Sequence, residues 1–543
     1  MMQKYLVIFT VGPVQSFIAA ARKTEDFWSG SYILSHMVEK AMEYLQTLDP
    51  DCEFVYPKRI KETGNGYRHV ASLPNRFTAV VHKNGQDIGE VMQKTEQHTR
   101  EAFFHLCQYA VDRVFDSLSQ NDRDVLKKKA IRQAENYLEI YWVAEPYGDS
   151  ESFTVIRNRA EERLGAMKND KRFSGTVHFG LTCSVCKEHE ALCLSEMDKN
   201  DRYGDLKRKM NETWNRRSSH YKSKNDEDET YNKSGRIKDN EFLCGICLAK
   251  RTAWDYFTEQ NKSVAFFPRF KSVVEIGNSS YYAILLMDGD RMGERFSRGT
   301  KEVYGQISER LAHFSREEVP EIVESVRDAR LVYAGGDDVL AFLPVDAALS
   351  IAHKLRFTFS DPKKGLDEKA TACVGLIIGH KKTPLQGLLR AVRHLENLAK
   401  AYKNPVTGME KNALALAVHT RSGEISQTVL PWEIESSDTI SLMLDFIGLL
   451  NEKLSNNFIF NFMEAFRPLL HQDNEKYQKL RDRDMLKIEL RRLLQRSVKE
   501  GKKIEGLDNH VEGLLKLHDA MRASQDFLHL LKILTFFTRS EGE

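Results

Sequence analysis

Tyr333-Ala334-Gly335-Gly336-Asp337-Asp338-Val339-Leu340 sets two short apolar runs on either side of Gly-Gly-Asp-Asp. The flanks, residues 329–334 and 339–343, alternate or run apolar as the strands of a hairpin do, and the glycines are expected to supply the positive φ angles of a tight turn. A hairpin does not require two adjacent carboxylates at its tip. Their charges repel, and a cation is the simplest means of making the arrangement favourable. Hard divalent ions such as Mg²⁺ take one or two carboxylates and complete their shell with water and substrate phosphates. The turn therefore points to a metal–nucleotide site.

Upstream, Tyr281 to Met287 reads as a fully apolar strand, followed by Asp288-Gly289-Asp290 and a helix. Carboxylates just past the C-terminal end of a buried strand stand where α/β sheets place ligand groups. If the hairpin pairs beside that strand, Asp288, Asp290, Asp337 and Asp338 come together and can hold two ions. Two ions can activate a ribose 3′-hydroxyl and neutralise a triphosphate during in-line displacement, chemistry that rests on positioning and charge. The plain alternative is a pair of solvated turns, because Asp and Gly are turn residues in any protein.

Further strands are expected at Thr371 to Ile378 and Leu414 to Val418, with a helix from Leu385 to Tyr402 between them and an almost wholly helical pattern after Pro431. The N-terminus repeats the alternation. Lys4 to Thr10 is a strand, Gly12-Pro13 a turn, and Phe17 to Met37 a helix broken near Ser29-Gly30-Ser31. Asn75 to Val81 and Glu90 to Ser117 continue as strand and amphipathic helix, so a first α/β or α+β domain is expected to end near residue 165.

Composition excludes several classes. The 543 residues are 41% hydrophobic and 29% charged, as in soluble globular proteins, and suffice for three or four domains. A net charge of +2 supplies no global basic field, so contact with nucleic acid must be local. No apolar run approaches the roughly 18 residues of a membrane span. The run Tyr5 to Phe9 is too short for a signal-peptide core. Of eight cysteines, four form Cys183-x-x-Cys186 and Cys244-x-x-Cys247; this is metal or reduced-thiol usage and points to the cytoplasm. Two such pairs complete a tetrahedral Zn²⁺ site with no open position, a structural role, with His189 and Cys193 as spare ligands. Two unrelated surface pairs or a redox couple are the alternatives. Between the pairs, Ser195 to Asn240 is so polar that it is expected to be a mobile insertion.

Here a resemblance enters. The order strand–Asp-x-Asp–helix–strand–Gly-Gly-Asp-Asp–strand resembles the palm domain of diguanylate and adenylate cyclases and of the large subunit of type III CRISPR–Cas effector complexes. Val11 to Ile18, Phe27-Trp28-Ser29-Gly30-Ser31, the paired Cys-x-x-Cys motifs, Met287 to Asp290 and Ala334 to Leu340 resemble the Cmr-type (type III-B) version in particular, in that family's order. The resemblance implies an α+β multidomain chain with two ferredoxin-like, cyclase-type palm domains, a zinc-binding module and an α-helical C-terminal domain. The expected bounds are 1–165 for a first, degenerate nucleotide-binding palm and 166–275 for the zinc module with its insertion at 195–240. The Gly-Gly-Asp-Asp palm spans 276–425 and the helical domain 426–543.

It further implies a nucleotidyltransferase that joins ATP into cyclic oligoadenylate second messengers when the complex captures target RNA. Asp288, Gly289, Asp290, Asp337 and Asp338 would hold two Mg²⁺ or Mn²⁺ ions, with Asp338 a ligand or a support for the acceptor hydroxyl. Gly335 and Gly336 would let the backbone approach the nucleotide, which a side chain would obstruct. Lys400 and Lys411 resemble cyclase-fold lysines that reach the triphosphate, against the plain reading of solvated lysines. Ser29, Gly30 and Ser31 are candidates for contact with the partner nucleotide, against a mere helix break. Other Cmr-type subunits, CRISPR RNA and target RNA are the implied partners.

Alternatives stand beside this reading. The same metal site serves a relative that conjugates ATP with S-adenosylmethionine, and a non-catalytic nucleotide-binding scaffold shares the fold. A diguanylate cyclase fits less well, because Asp-Asp-Val-Leu stands where that family has Asp/Glu-Glu-Phe. The basic stretch Lys476 to Lys503, with Arg481, Arg483, Arg491, Arg492, Arg496 and Lys502, reads as a solvated helix face or an RNA-contacting one. The spaced His and Asp ligands of an HD-type nuclease are not seen, so no DNase activity is expected. His518-Asp519 reads as a helix-surface coincidence.

Overall fold

The computed structural model describes residues 4–58, 70–82, 87–135, 137–148, 151–170, 178–222, 237–260, 272–297, 299–455, 457–470 and 483–538. Packing divides the chain into two compact units. The first is residues 1–272 with 293–317 and 332–336; the second is 273–292, 318–331 and 337–543.

The first unit is built on a four-stranded sheet. Its elements are β1 (Lys4–Gly12), α1 (Gln15–Ala19), α2 (Thr24–Leu48), β2 (Glu53–Tyr56), β3 (Arg76–His82), α3 (Ile88–Val114), α4 (Gln120–Glu135) and β4 (Glu139–Tyr147). The strand order β2-β3-β1-β4, antiparallel throughout, is the ferredoxin-like arrangement of a βαββαβ chain. Alternation along β1 fixes its two faces. Leu6 and Ile8 join clusters with Phe153, Ile156, Ala160 and Leu164 of α5 (Phe153–Asn169). On the other face Phe9 stacks on Phe77, ring centroids 5.1 Å apart.

Two expectations for this unit are corrected. Helix α2 runs unbroken through Ser29-Gly30-Ser31, all three buried. A helix interior tolerates glycine at a cost of about 1 kcal/mol relative to alanine, and here a side chain would crowd its neighbours. A Cβ on Gly30 would lie 3.1 Å from Ile18 Cα and 3.3 Å from Lys250 Cε. The polar insertion, in turn, is not wholly mobile. It forms α6 (Tyr203–Trp214), whose Met210 and Trp214, four residues apart, are both buried. Trp214 donates from Nε1 to Leu192 O at 2.8 Å and packs edge-on against Phe115. The apolar residues that anchor this segment were too few to outweigh its overall polarity in the sequence. Residues 223–236 of the insertion lie outside the described residues.

Helix α7 (Gly245–Gln260) closes the cysteine module. In the region between the next two strands lie α8 (Met292–Ser297), α9 (Lys301–His313) and α10 (Val319–Glu324). The second sheet comprises β5 (Tyr281–Gly289), β6 (Arg330–Gly335), β7 (Asp338–Leu343), β8 (Ala372–His380), β9 (Ala413–His419) and β10 (Ile425–Pro431). Their order is β10-β9-β8-β5-β7-β6, so β8-β5-β7-β6 repeats the ferredoxin-like order and β9 and β10 extend it. β8 is buried along its whole length, as the apolar run Ala372 to His380 demands between neighbours on both sides.

Helices α11 (Val345–Phe359) and α12 (Leu385–Lys400) cover this sheet. α12 sits unusually close to β8 because Gly375 has no side chain: a Cβ there would lie 2.7 Å from Glu396 N and 2.7 Å from Val392 O. That contact fixes the C-terminal turn of α12, which carries Glu396 and Lys400.

The rest is a two-residue ladder, β11 (Glu433–Ile434) with β12 (Ser437–Asp438), and five helices. These are α13 (Thr439–Glu452), α14 (Phe458–Leu470), α15 (Arg483–Arg496), α16 (Leu507–Asp519) and α17 (Ser524–Leu534). His518 is not a surface residue, as its sequence position suggested. It is 2% exposed, and its Nε2 meets Ser524 Oγ at 2.9 Å, joining α16 to α17. Of the basic stretch, Arg483 pairs with Glu512 and Asp519, Arg491 with Asp508, and Arg492 with Glu489. Lys476 and Arg481 lie outside the described residues. No described helix is long and apolar enough to cross a membrane.

Candidate functional site

The acidic cluster is assembled by strand pairing. β5 pairs antiparallel with β7 from Ala283↔Leu343 to Met287↔Val339, and the next step of that register sets Asp288 opposite Asp338. Asp337 occupies the two-residue turn before β7 together with Gly336, whose φ is +69°. Gly335 does not supply a positive φ; it ends β6, where a Cβ would meet Tyr333 Oη at 2.0 Å. A further glycine makes the cluster sterically feasible. A Cβ on Gly289 would lie 2.8 Å from Asp337 Cβ and 3.0 Å from Asp337 Oδ2.

Three carboxylates so close cannot all hold their charge cheaply. Burial, then the Asp288 charge, pushes the Asp337 carboxyl up to about 7, against amide hydrogen bonds from its own N–H and that of Gly289. Asp338 is also raised, by surrounding protein first and then by Asp337 and Asp288. Because Asp338 remains exposed at the surface, its like-charged neighbours are the cause that stands. One cation is already present. Lys400 Nζ lies 3.0 Å from Asp288 Oδ2 and 2.5 Å from Glu396 Oε1. Burial works against the Lys400 charge, but hydrogen bonds to Glu396 and Asp288 outweigh it and raise its pKa. Glu396 is a site neighbour the sequence reading missed; the spacing Glu396-x-x-x-Lys400 on a helix was the available signal.

Asp290 does not join this group in the same way. It is 4% exposed, and its Oδ2 accepts from Asn412 N at 2.9 Å. Lys411 is half-buried in the turn before β9 and forms no ion pair among the described residues. Ser29, Gly30 and Ser31 stand inside the first unit: Ser31 Oγ donates to Phe27 O at 3.3 Å, and Ser29 Oγ is buried without a hydrogen-bond partner among the described residues.

The four cysteines of the paired motifs do converge. Cys183, Cys186, Cys244 and Cys247 place their sulfurs within 4.8 Å of one another. Two tight turns hold them. Cys183 N donates to His189 O at 2.7 Å, and the amides of Val185 and Cys247 point at the sulfurs of Cys183 and Cys244, each at 3.4 Å. Hydrogen bonds from neighbouring thiols lower Cys186, whereas burial raises Cys244 and thiol hydrogen bonds raise Cys247. This is a set of sulfurs sharing protons among themselves, and its size and donor chemistry fit one tetrahedral soft cation. Cys193 is elsewhere, beside Thr213.

The module is tied to α2 by charge. Arg251, fully buried on α7, bonds Asp26 through Nε at 2.8 Å and Nη2 at 3.1 Å, and Glu241 at 3.1 Å. Despite the cost of burial, Arg251 holds the Asp26 carboxyl at about 2. Lys250 Nζ donates to Phe17 O at 2.5 Å and Ala20 O at 2.7 Å, capping the end of α1. The aromatic-Ser-Gly-Ser motif thus has a packing account: Gly30 clears space for Lys250.

Comparisons with known proteins agree with this geometry. Residues 281–415 match the family of the Cas10/Cmr2 second palm domain, and residues 6–108 that of the CRISPR-associated protein Cmr2 N-terminal region. The chain is 26% identical to the CRISPR system Cmr subunit Cmr2 of Pyrococcus furiosus, over 79% of this chain and 63% of that protein. It is 24% identical to the CRISPR system single-strand-specific deoxyribonuclease Cas10/Csm1 of Mycobacterium tuberculosis, over 33% of this chain and 23% of that one. The chain therefore spans less than two thirds of these relatives' length.

Its fold is similar to a chain in the type III-B Cmr-beta complex bound to cognate target RNA, with a TM-score of 0.64 at 13% identity over 99% of this chain and 83% of the other. A chain of the Csm1–Csm4 subcomplex matches with a TM-score of 0.52 at 14% identity, over 99% of this chain and 70% of the other. In its N-terminal region and its Gly-Gly-Asp-Asp palm the chain thus matches the Cas10/Cmr2 family models, and over most of its length it is similar to a type III-B Cmr2 subunit.

Proposed function

We propose that this chain is the nucleotidyltransferase subunit of a type III-B CRISPR effector complex and converts ATP into cyclic oligoadenylates when target RNA is captured. The observation that carries the reading is the trio Asp288, Asp337 and Asp338, crowded by strand pairing, with the Asp337 and Asp338 carboxyls raised in pKa and Lys400 alongside. A structural protein has no use for carboxylates that resist ionisation; a phosphoryl-transfer site has, because divalent cations take the place of the protons.

The donor set fits two Mg²⁺ or Mn²⁺ ions, with Asp288, Asp337 and Asp338 as the residues that would hold them. Bound there, such ions supply charge neutralisation and activation of a 3′-hydroxyl towards the α-phosphate, with pyrophosphate leaving. The protein's own part is positioning. Gly289 leaves the space that lets Asp337 stand over the end of β5. Glu396 orients the Lys400 ammonium, whose charge offsets the carboxylates before nucleotide arrives and can turn to a phosphate afterwards. The four cysteines would hold one structural Zn²⁺, stapling the two ends of the polar insertion.

The test uses the assembled complex with target RNA, labelled ATP and Mn²⁺, with and without S-adenosylmethionine, and resolves the products. Oligoadenylates that vanish with Asp337→Ala plus Asp338→Ala are expected. Absence of any nucleotide product refutes the enzyme reading, and product that survives the double substitution refutes the site. A product that needs S-adenosylmethionine reassigns the acceptor.

A further inference from the structure

Asp288 and Asp290 are two residues apart, and in the sequence both look like metal ligands. Their surroundings differ. Asp288 faces the carboxylate cluster and Lys400. Asp290 has its amide bound to Thr371 O at 2.8 Å and its Oδ2 taken by the amide of Asn412 at 2.9 Å. Its Oδ1 is buried, and the Cys373 thiol lies within hydrogen-bonding reach of the carboxylate. The Arg356 guanidinium, 5% exposed, lies near enough to feel the Asp290 charge.

Asn412 is held from both sides. Its amide points at Asp290, and its Oδ1 accepts from Arg356 Nε at 2.8 Å, while Arg356 Nη1 reaches Ser360 Oγ at 3.1 Å. The backbone there needs holding: Lys411 and Asn412 take φ of 64° and 49°, a left-handed pair without a glycine. The segment they end runs from the last residue of α12, Lys400, to Lys411. It is closed on itself by the Lys403↔Glu410 bridge, by Asn404 N to Met409 O at 2.8 Å and by Lys411 N to Tyr402 O at 2.9 Å. A self-closed loop moves as a body, so its anchorage at the base decides where all of it stands.

We infer that Asp290 is a positioning residue: with Arg356 it clamps Asn412 and so sets the path of the 401–412 loop and of Lys411, instead of ligating metal. This rests on the nucleotidyltransferase reading for its consequence in catalysis, but the clamp is a property of the resting protein. Strained left-handed backbone beside a site is what a preorganised loop looks like, and it persists only where neighbours over-determine it.

The experiment compares Asp290→Ala and the conservative Asp290→Asn with Asp288→Asn in three measurements. In the first, amide hydrogen exchange of residues 403–412 is followed in the protein without metal or nucleotide. Asp290→Ala should accelerate exchange at Asn412 and its loop by about tenfold, Asp290→Asn by less, and Asp288→Asn hardly at all. In the second, Mn²⁺ titration should leave both Asp290 variants within about twofold of the parent while Asp288→Asn binds much more weakly. In the third, steady-state assay of the complex should raise KM for ATP about tenfold in Asp290→Ala with kcat less affected, a split that a general loss of folding does not give.

Unchanged exchange in Asp290→Ala overturns the clamp, and loss of Mn²⁺ affinity in Asp290→Asn equal to that of Asp288→Asn restores Asp290 as a ligand. If no protein, parent included, binds Mn²⁺ or turns over ATP, the proposed function fails, and the exchange measurement still decides the clamp. If Asp290→Ala does not fold, the Asp290→Asn comparison carries all three measurements.

Discussion

Asp337 offers a direct reading of the stored repulsion in the acidic cluster. Its carboxyl is raised from an ordinary 3.8 to about 7 by burial and by Asp288. The folded state therefore holds that proton more tightly than the unfolded chain does. The contribution to stability is present in full below about pH 4 and is lost as pH rises through about 7, the reverse of the usual carboxylate case. Each pH unit of displacement corresponds to about 1.4 kcal/mol, so the loss approaches about 4 kcal/mol by pH 8. Asp337→Asn keeps the shape and removes the charge, so it should be free of this dependence.

Thermal unfolding in chelator, at about pH 5.5 and about pH 8, measures it. About 2 kcal/mol of this falls between the two conditions, so the variant should gain on the parent by about 4 °C, taking about 2 °C per kcal/mol for a domain of this size. Mn²⁺ or Mg²⁺ added at the higher pH should raise the parent and leave the variant nearly unmoved, because a cation then does what the proton did. Parallel pH profiles for the two proteins would refute the reasoning.

Gly289→Ala should cost about 1–3 kcal/mol in thermal or denaturant unfolding and abolish nucleotide product, since its Cβ would stand 2.8 Å from Asp337 Cβ and 2.9 Å from Phe359 Cζ. Arg251→Met leaves Asp26 and Glu241 buried without their cation; a loss of about 3–5 kcal/mol is expected in the first unit, read by its own amide exchange, with the second unit unaffected. Chelation of zinc by a strong chelator, or Cys244→Ser, should expose α7 amides to exchange and release about one zinc per chain by metal analysis. Retention of slow exchange after metal loss would show the sulfur cluster to be dispensable.

Much of this was legible in the sequence because it is carried by period and punctuation. The strand at Tyr281, the hairpin after Ala329 and the helix ending at Lys400 all follow from apolar alternation bounded by Gly, Asp and Pro. The sulfur cluster was legible because Cys-x-x-Cys presents two thiolates on one tight turn, whatever separates the pairs. What failed was local inference where distant neighbours decide. Ser29-Gly30-Ser31 looks like a break until Lys250, more than two hundred residues away, fills the space the glycine leaves. The polar insertion looks mobile because its anchors, Met210 and Trp214, are two residues among dozens.

The acidic site shows the same division at closer range. Four aspartates at two turns suggest four equivalent ligands, and nothing in their spacing separates Asp288 from Asp290. The separation is made by β9 and the loop before it, which send the Asn412 amide to one aspartate, while α12 sends Lys400 to the other. Both deliveries depend on close backbone approach: Gly375 seats α12 against β8, and the left-handed pair at Lys411 and Asn412 turns the loop back into β9. Glycines and positive φ angles outside the acidic motifs therefore decide which carboxylates are crowded together and open to a cation. A substitution scan of this chain should find Gly289 and Gly375 as intolerant as Asp337, although neither presents a group to the substrate. A Gly375→Ala protein that retained the parent's activity would show instead that the position of Lys400 does not matter to the site.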